Sequence, residues 1–352
     1  MTRTPQPNTA PASAHRQRGA ALLMAMITVA LVATLAAAAM WRQWRGVEVE
    51  AAERARVQSA WILTGALDWG RLILAGDLLE DKRRGYEADH LGEPWAVPLA
   101  EARLSTFLAA GESSSDTDRD AFLSGQVTDL QSRLNVMNLI ASTPQDQLTA
   151  LTRFTRLFEL LNLPSGELGA LQRGLARADS VMRGAPVEGG TDAPLMPRRF
   201  EQLAWLGMAP ATLAALKPYV TVLPLVSRQI TKINLNTASA QVIAAAIPDL
   251  DLARAQRIVV QRDSGFFRTP AKAMEAAGVT AADTGWTSTT SDFFEVRGRL
   301  RLDDVALEEV SVVQRTRTPI RVTTLWRERA ALSIDLGTAA GQTTAALGGG
   351  MR

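Results

Sequence analysis

The chain has 352 residues, longer than one ordinary domain, and its 47% hydrophobic content is enough to build packed cores. Basic and acidic residues number 38 and 36, a formal net charge of +2, so bulk electrostatics make no case for nucleic-acid binding. The absence of cysteine excludes disulfides, thiolate metal sites and cysteine nucleophiles.

Met1 to Ala14 is polar, rich in Pro, Thr and Ala, and expected to be disordered. His15-Arg16-Gln17-Arg18-Gly19 follows, then the apolar run Ala20 to Met40, which contains no charged residue. As a helix, residues 20–40 span about 31 Å, enough for a hydrocarbon core of about 30 Å. A secretory apolar region is shorter, roughly 7–15 residues. The length therefore favours an uncleaved or prepilin-type anchor, although Ala36-Ala37-Ala38-Ala39 imitates a signal-peptidase site. Arginines flank both ends (Arg3, Arg16 and Arg18; Arg42 and Arg45), so charge orients the helix only weakly. Trp41 and Trp44 stand where interfacial aromatics belong. The helix is expected to continue to Leu74 as an amphipathic stem, with Trp61, Leu63, Leu67, Ile73 and Leu74 on one buried face.

Gly76 to Pro98 reads as a loop with short strands, and Glu112 to Asp120 as a polar loop. Gly125 to Leu130 alternates as a short strand and leads into Arg133-Leu134-Asn135-Val136-Met137-Asn138-Leu139. Pro144 to Leu216 is helical, with Leu148, Leu151, Phe154, Leu157, Phe158 and Leu161 at helical spacing. Gly184 to Pro197 is a Gly/Pro linker. Ile233-Asn234-Leu235-Asn236-Thr237-Ala238 opens a second helical unit, with Asn236 or Thr237 capping a helix from Ala238 to Ile247. Helices follow from Leu252 to Arg262 and up to Gly278. The end is β: Phe294 to Leu302 and Ile320 to Arg327 both alternate with period two, as half-buried antiparallel strands do. The Gly/Ala/Thr tail beyond Ala330 is expected to be disordered. Asp303-Asp304 and Glu308-Glu309 read as surface charges around a turn and strand.

Four marks together resemble the general secretion pathway protein K family, the minor pseudopilins of type II secretion. They are Arg18-Gly19 before Ala20-Ala21-Leu22-Leu23-Met24, the Gly125–Leu139 stretch with its Arg-x-Asn-x-x-Asn run, Tyr219 to Ala238, and Phe293-Phe294-Glu295-Val296-Arg297-Gly298. The resemblance implies an α+β fold. A pilin-like long N-terminal transmembrane helix packs on a small antiparallel sheet, with a large all-α, SAM-like and helix-hairpin-helix-like insert. It divides the chain into a leader (1–19), a transmembrane helix (20–40), a stem and first α/β part (41–130), two helical domains (131–228 and 229–285), C-terminal strands (286–330) and a tail (331–352).

The resemblance further implies cleavage after Gly19 by a prepilin peptidase and methylation of Ala20. The mature fifth position, usually Glu in pilins, is Met24. A membrane-buried charge is costly unless paired, and a tip subunit has no subunit above it to pair with. The implied protein spans a bacterial inner membrane once and holds its large domain in the periplasm. Its implied partners are the other minor pseudopilins of the tip complex and the inner-membrane secretion platform, and it helps initiate the pseudopilus that exports proteins across the outer membrane.

A rival reading is a membrane-anchored DNA-uptake protein, because Ile233–Val279 resembles a helix-hairpin-helix module. DNA-binding hairpins use glycines so that backbone N–H groups reach a phosphate. Here the hairpin is Pro248-Asp249-Leu250-Asp251-Leu252, with aspartates instead of glycines, so no nucleic-acid partner is expected. Asp116, Asp118 and Asp120 alternate as in a calcium loop, but Ala121 and Val127 replace the Gly and Glu such a loop requires. The resemblance links calcium to an acidic segment of the insert, of which the aligned Gln172–Asp179 stretch keeps only Asp179. The only histidines are His15 and His90, and no catalytic set or P-loop appears, so neither an enzyme nor a bound cofactor is expected.

Overall fold

The computed structural model describes residues 14–103, 121–184, 193–279, 285–302 and 305–333. The chain divides into two compact units, Met1–Trp61 and Ile62–Arg352. Helix α1, Ala14–Arg84, supplies the described part of the first unit and continues into the second.

In the second unit α1 presents Leu63, Leu67, Leu74 and Leu78, each at most 2% exposed, to a five-stranded antiparallel sheet. Burial of each such side chain stabilises by about 1.5–3 kcal/mol. The sheet order is β1 (Leu99–Arg103), β2 (Ala121–Asp129), β7 (Phe293–Leu302), β8 (Val305–Arg317) and β9 (Ile320–Ser333). Phe294, Val296, Leu300, Val313 and Val322 form the inner face under α1, together with Leu123 and Val127. Close approach is set by Gly70. A Cβ there would sit 2.7 Å from Val296 Cγ1, and Gly298 in turn lies under the Leu63 and Leu67 methyls.

The helical body lies between β2 and β7 in the chain. It comprises α2 (Pro144–Leu160), α3 (Ser165–Met182), α4 (Pro210–Leu216), α5 (Ala240–Ala246), α6 (Leu252–Ser264) and α7 (Pro270–Ala276). Two short parallel pairs stitch it together: β3 (Leu134–Asn135) with β4 (Val220–Thr221), and β5 (Ile233–Asn234) with β6 (Thr287–Ser288). One hydrophobic core runs from Leu134 through Phe154, Leu171, Leu203 and Ile243 to Trp286. Arg153 and Arg156 on α2 donate to Ala246, Ile247 and Leu250 carbonyls, which satisfies the otherwise orphaned end of α5.

The structure departs from the sequence reading at several places. Helix α1 runs ten residues beyond Leu74, to Arg84, because Leu78 and Asp81 keep its inner face buried where a loop is expected. Trp61 is 72% exposed and does not belong to the buried face of α1 assigned to it, and of the residues at helical spacing in α2 Leu148 is 59% exposed. Ser239, not Asn236 or Thr237, caps α5, by accepting from Val242 N. Strand β8 stands where a turn and strand are expected, but Glu309 within it is fully buried and not a surface charge. Its carboxylate takes Arg327 and Arg329 from β9. Asp303-Asp304 lies outside the described residues, as does most of the 184–197 linker, whereas β9 extends to Ser333, past the expected end.

The Gly70 contact carries a direct prediction. Gly70→Ala overpacks Val296, a stiff β-branched side chain, and destabilises by about 1–3 kcal/mol. Gly76→Ala, with nothing within 4 Å, leaves stability unchanged or gains about 0.5–1 kcal/mol from helix propensity. Thermal unfolding of the detergent-purified full chain compares the two, and equal melting of both variants contradicts the packing account.

Candidate functional site

Two regions carry the chemistry of this chain, the apolar half of α1 and a buried polar junction at the base of the helical body. In the first, a window of mean hydropathy 2.4 is wholly exposed, and it belongs to the one helix among the described residues that is long and apolar enough to cross a membrane. Gly19 and Ala20 lie within α1, and Met24 is 66% exposed on its surface. The two hydroxyls of the segment are satisfied by the helix itself. Thr28 donates to the Met24 and Ala25 carbonyls at 3.0 and 2.9 Å, and Thr34 to Leu31 at 2.8 Å. Internal satisfaction of this kind is what a hydrocarbon environment demands. Trp41 and Trp44 pair at 5.6 Å at the end of the run, and the pairs Glu50–Arg54 and Glu53–Arg56 mark the return to water.

The junction is built from Asp129 at the end of β2. Its Oδ1 accepts from Gln131 N at 2.7 Å, and its Oδ2 accepts from Asn234 Nδ2 (3.0 Å), Thr237 Oγ1 (2.6 Å) and Ser291 Oγ (2.6 Å). Asn234 also donates to the Asp89 carbonyl at 3.0 Å. Asp89 in turn takes Ser291 N and the Arg315 guanidinium, and Arg315 reaches Asp77 at 3.4 Å, Leu74 O and Ser291 O. Arg315 and Asp89 are buried, at 1% and 2% exposure. The nearby amides act as backbone mimics that both donate and accept. Asn135 exchanges bonds with Leu223, Asn138 with Thr231 and Asn236 with Phe267, while Gln131 bridges Lys232 and Asp292. The asparagines of the two sequence motifs thus fasten the helical body to itself and to the sheet.

Asp77, Asp89 and Glu93 bring carboxylate oxygens within 4.8 Å of one another, a grouping able to attract a cation. The Arg315 guanidinium supplies that charge within the fold, while Glu93 turns to Trp95 Nε1 and His90 N. Burial, aided by Asp77 and Asp89, pushes Glu93 up to about 9. Burial also raises Asp77 to about 6, helped by Asp89 and opposed by Arg315. It likewise raises Asp129 to about 6, against the Ser291 and Thr237 hydrogen bonds. No sequence motif marks Asp77, Asp89, Glu93 or Arg315. The available signal is the placement of Asp77 and Asp81 on the leucine face of α1 and of Arg315 inside a strand.

The calcium candidates read from the sequence, Asp116, Asp118 and Asp120, lie outside the described residues. The hairpin between α5 and α6 has Asp249 at φ 58°, and Asp251 caps α6 by accepting from Arg254 N at 2.7 Å. The helix start that would face a phosphate is therefore occupied by the chain's own carboxylate.

Two family models, both described as type II secretion system (T2SS), protein K, match residues 132–225 and 233–295. These stretches contain Asn135 and Asn138, and Asn234 and Asn236, respectively. The chain belongs to the type II secretion system protein K family. A protein K of Klebsiella pneumoniae is 26% identical over 86% of this chain and 93% of its own length. A protein K of Pseudomonas aeruginosa is 27% identical over 85% and 89%. The fold matches a chain of the GspK-GspI-GspJ complex from enterotoxigenic Escherichia coli at TM-score 0.58, with 16% identity, over 79% of this chain and 98% of that one. As a protein K this chain is a membrane-anchored minor pseudopilin, a structural subunit of its secretion system, and the family assignment lends the DNA-uptake reading no support.

The raised carboxylates fix a pH dependence. Between their ordinary values and their folded values, the folded state holds protons that the unfolded chain releases, so stability falls as pH rises. Asp77 and Asp129 act from about pH 4 to 6, and Glu93 continues up to about 9. Each retained proton is worth about 1.4 kcal/mol per pH unit. The full chain therefore melts higher near pH 6 than near pH 8.5, and Glu93→Gln flattens that slope. His90 is the basic side chain facing the group, at 3.6 Å, and burial lowers its own pKa, so it does not hold Glu93 ionised. A slope unchanged in Glu93→Gln contradicts the assignment.

Proposed function

We propose that this chain sits at the tip of the periplasmic pseudopilus and helps initiate its assembly for protein export across the outer membrane, without enzymatic activity. Supporting this reading is the combination of a charge-free apolar helix, with Met24 where an acidic side chain is usual, and a large body unlike the bare helix-and-sheet of a stacking subunit. A carboxylate within hydrocarbon needs a partner. Without one at Met24 the helix has no pairing demand toward a subunit above it. In this reading the anchor lies in the inner membrane, a prepilin peptidase cuts between Gly19 and Ala20, Ala20 is methylated, and the inner-membrane platform receives the helix.

The partners proposed are the other minor pseudopilins, as in the E. coli relative named with GspI and GspJ. The surface proposed for them is the outward stripe of α1, formed by Gly65, Trp69, Leu72, Gly76 and Leu79. Trp69, Leu72 and Leu79 are 52%, 68% and 44% exposed, and both glycines face open space. Large apolar side chains alternating with glycines let a second helix approach closely. Trp69→Asp combined with Leu72→Asp is expected to lower co-purification of the other minor pseudopilins about tenfold or more, with the melting temperature kept. Undiminished recovery contradicts the proposed surface.

A further inference from the structure

The resemblance to protein K implies calcium in the helical body, and the donor set around Asp179 tests that implication. Calcium takes six to eight oxygen ligands at about 2.3–2.6 Å. In the aligned stretch, Gln172 to Asp179, the buried carboxylate is Asp179, and both of its oxygens are engaged by guanidinium groups. Arg228 Nη1 donates to Oδ1 and Nη2 to Oδ2, each at 3.2 Å, a bidentate fork. Arg183 Nη2 stands 2.5 Å from Oδ2. Arg228 Nη2 also donates to the Ile140 carbonyl at 3.1 Å. Three oxygens from two elements thus converge on one guanidinium, where a cation would otherwise collect them. Calcium does not fit this place.

The backbone carrying Arg228 is unusual as well. Ser227 and Arg228 have φ of 49° and 58°, a left-handed conformation uncommon outside glycine. Such backbone persists where its surroundings over-determine it. Here the surroundings are the Asp179 fork, the Ile140 carbonyl, and Ser142 N donating to the Arg228 carbonyl at 3.2 Å. The loop is bent so that one side chain ties α3 to the turn that follows β3.

We propose that Arg228 takes the place of the divalent cation in this chain, so that the helical body is held at this point by a resident side-chain charge and needs no calcium there. A fixed cation carries no dependence on metal supply, whereas a metal-held site folds in proportion to free ion.

The test is thermal unfolding of the full chain in detergent, with chelator and then with excess calcium. The wild type is expected to melt within about 1 °C in the two conditions. Arg228→Gln is expected to melt about 4 °C or more lower in both, and Arg228→Lys, which keeps the charge but loses the fork, between the two. The proposal is overturned if calcium raises wild-type melting by several degrees and Asp179→Asn abolishes that gain. It is equally overturned if Arg228→Gln melts like the wild type. Should Arg228→Gln fail to fold, the wild-type, Asp179→Asn and Arg228→Lys melts still decide.

Discussion

A carboxylate buried as completely as Asp129 has to be met by hydrogen-bond donors, and this need organises the second unit. Its side-chain donors, Asn234, Thr237 and Ser291, lie 105, 108 and 162 residues further along the chain. They come from the start of α5's unit and from the return to the sheet, so a long helical excursion must close back on the end of β2. Asp89 and Arg315 extend the same logic to the end of α1 and to β8. A buried ion pair adds little net stability compared with apolar packing, but breaking one side of it is costly. The junction thus specifies one arrangement of sheet, helix and helical body more than it strengthens any of them.

That arrangement explains how a small pilin-like sheet carries so large an insertion. The β2–β7 pair stays in continuous register from Ala121–Leu302 to Asp129–Phe294, although the helical body intervenes between them in sequence. On the outer face Phe293, Val312 and Trp326 pack with Leu130 and Leu223, so the excursion leaves and rejoins the sheet over apolar contact. Such a base keeps the insert from moving independently of the sheet it leaves and rejoins.

What can be read in the sequence follows from the range of the interactions. The apolar anchor, the helices with three- and four-residue spacing and the alternating β7 and β9 are local patterns, and they stand where periodicity puts them. The end of α1 escapes local reading because Gly76 interrupts the text of the helix, while Leu78 and Asp81 beyond it are buried, Asp81 accepting from Ala88 N. The extent and buried polar face of strand β8 escape it because Glu309, Ser311 and Arg315 occupy inward positions where alternation calls for apolar residues, and the partners of Glu309 on β9 and of Arg315 on α1 and at Asp89 cannot be seen from the strand itself. The Asn135/Asn138 and Asn234/Asn236 motifs are visible as signatures but not as backbone-mimicking clamps. Assigning Asn236 or Thr237 to a cap is a local answer to a residue used at long range. Asp77, Asp89, Glu93 and Arg315 leave only the faint trace of charges on apolar faces.

A braced body carried on a pilin-type helix is the central claim, and the chemical identity of the N-terminus tests that union most directly. The measurement is the intact mass and N-terminal peptide of the membrane-extracted chain co-expressed with a prepilin peptidase. The expected product is a chain that begins at N-methylated Ala20. A chain that begins at Met1, or one cut near Ala39, contradicts it.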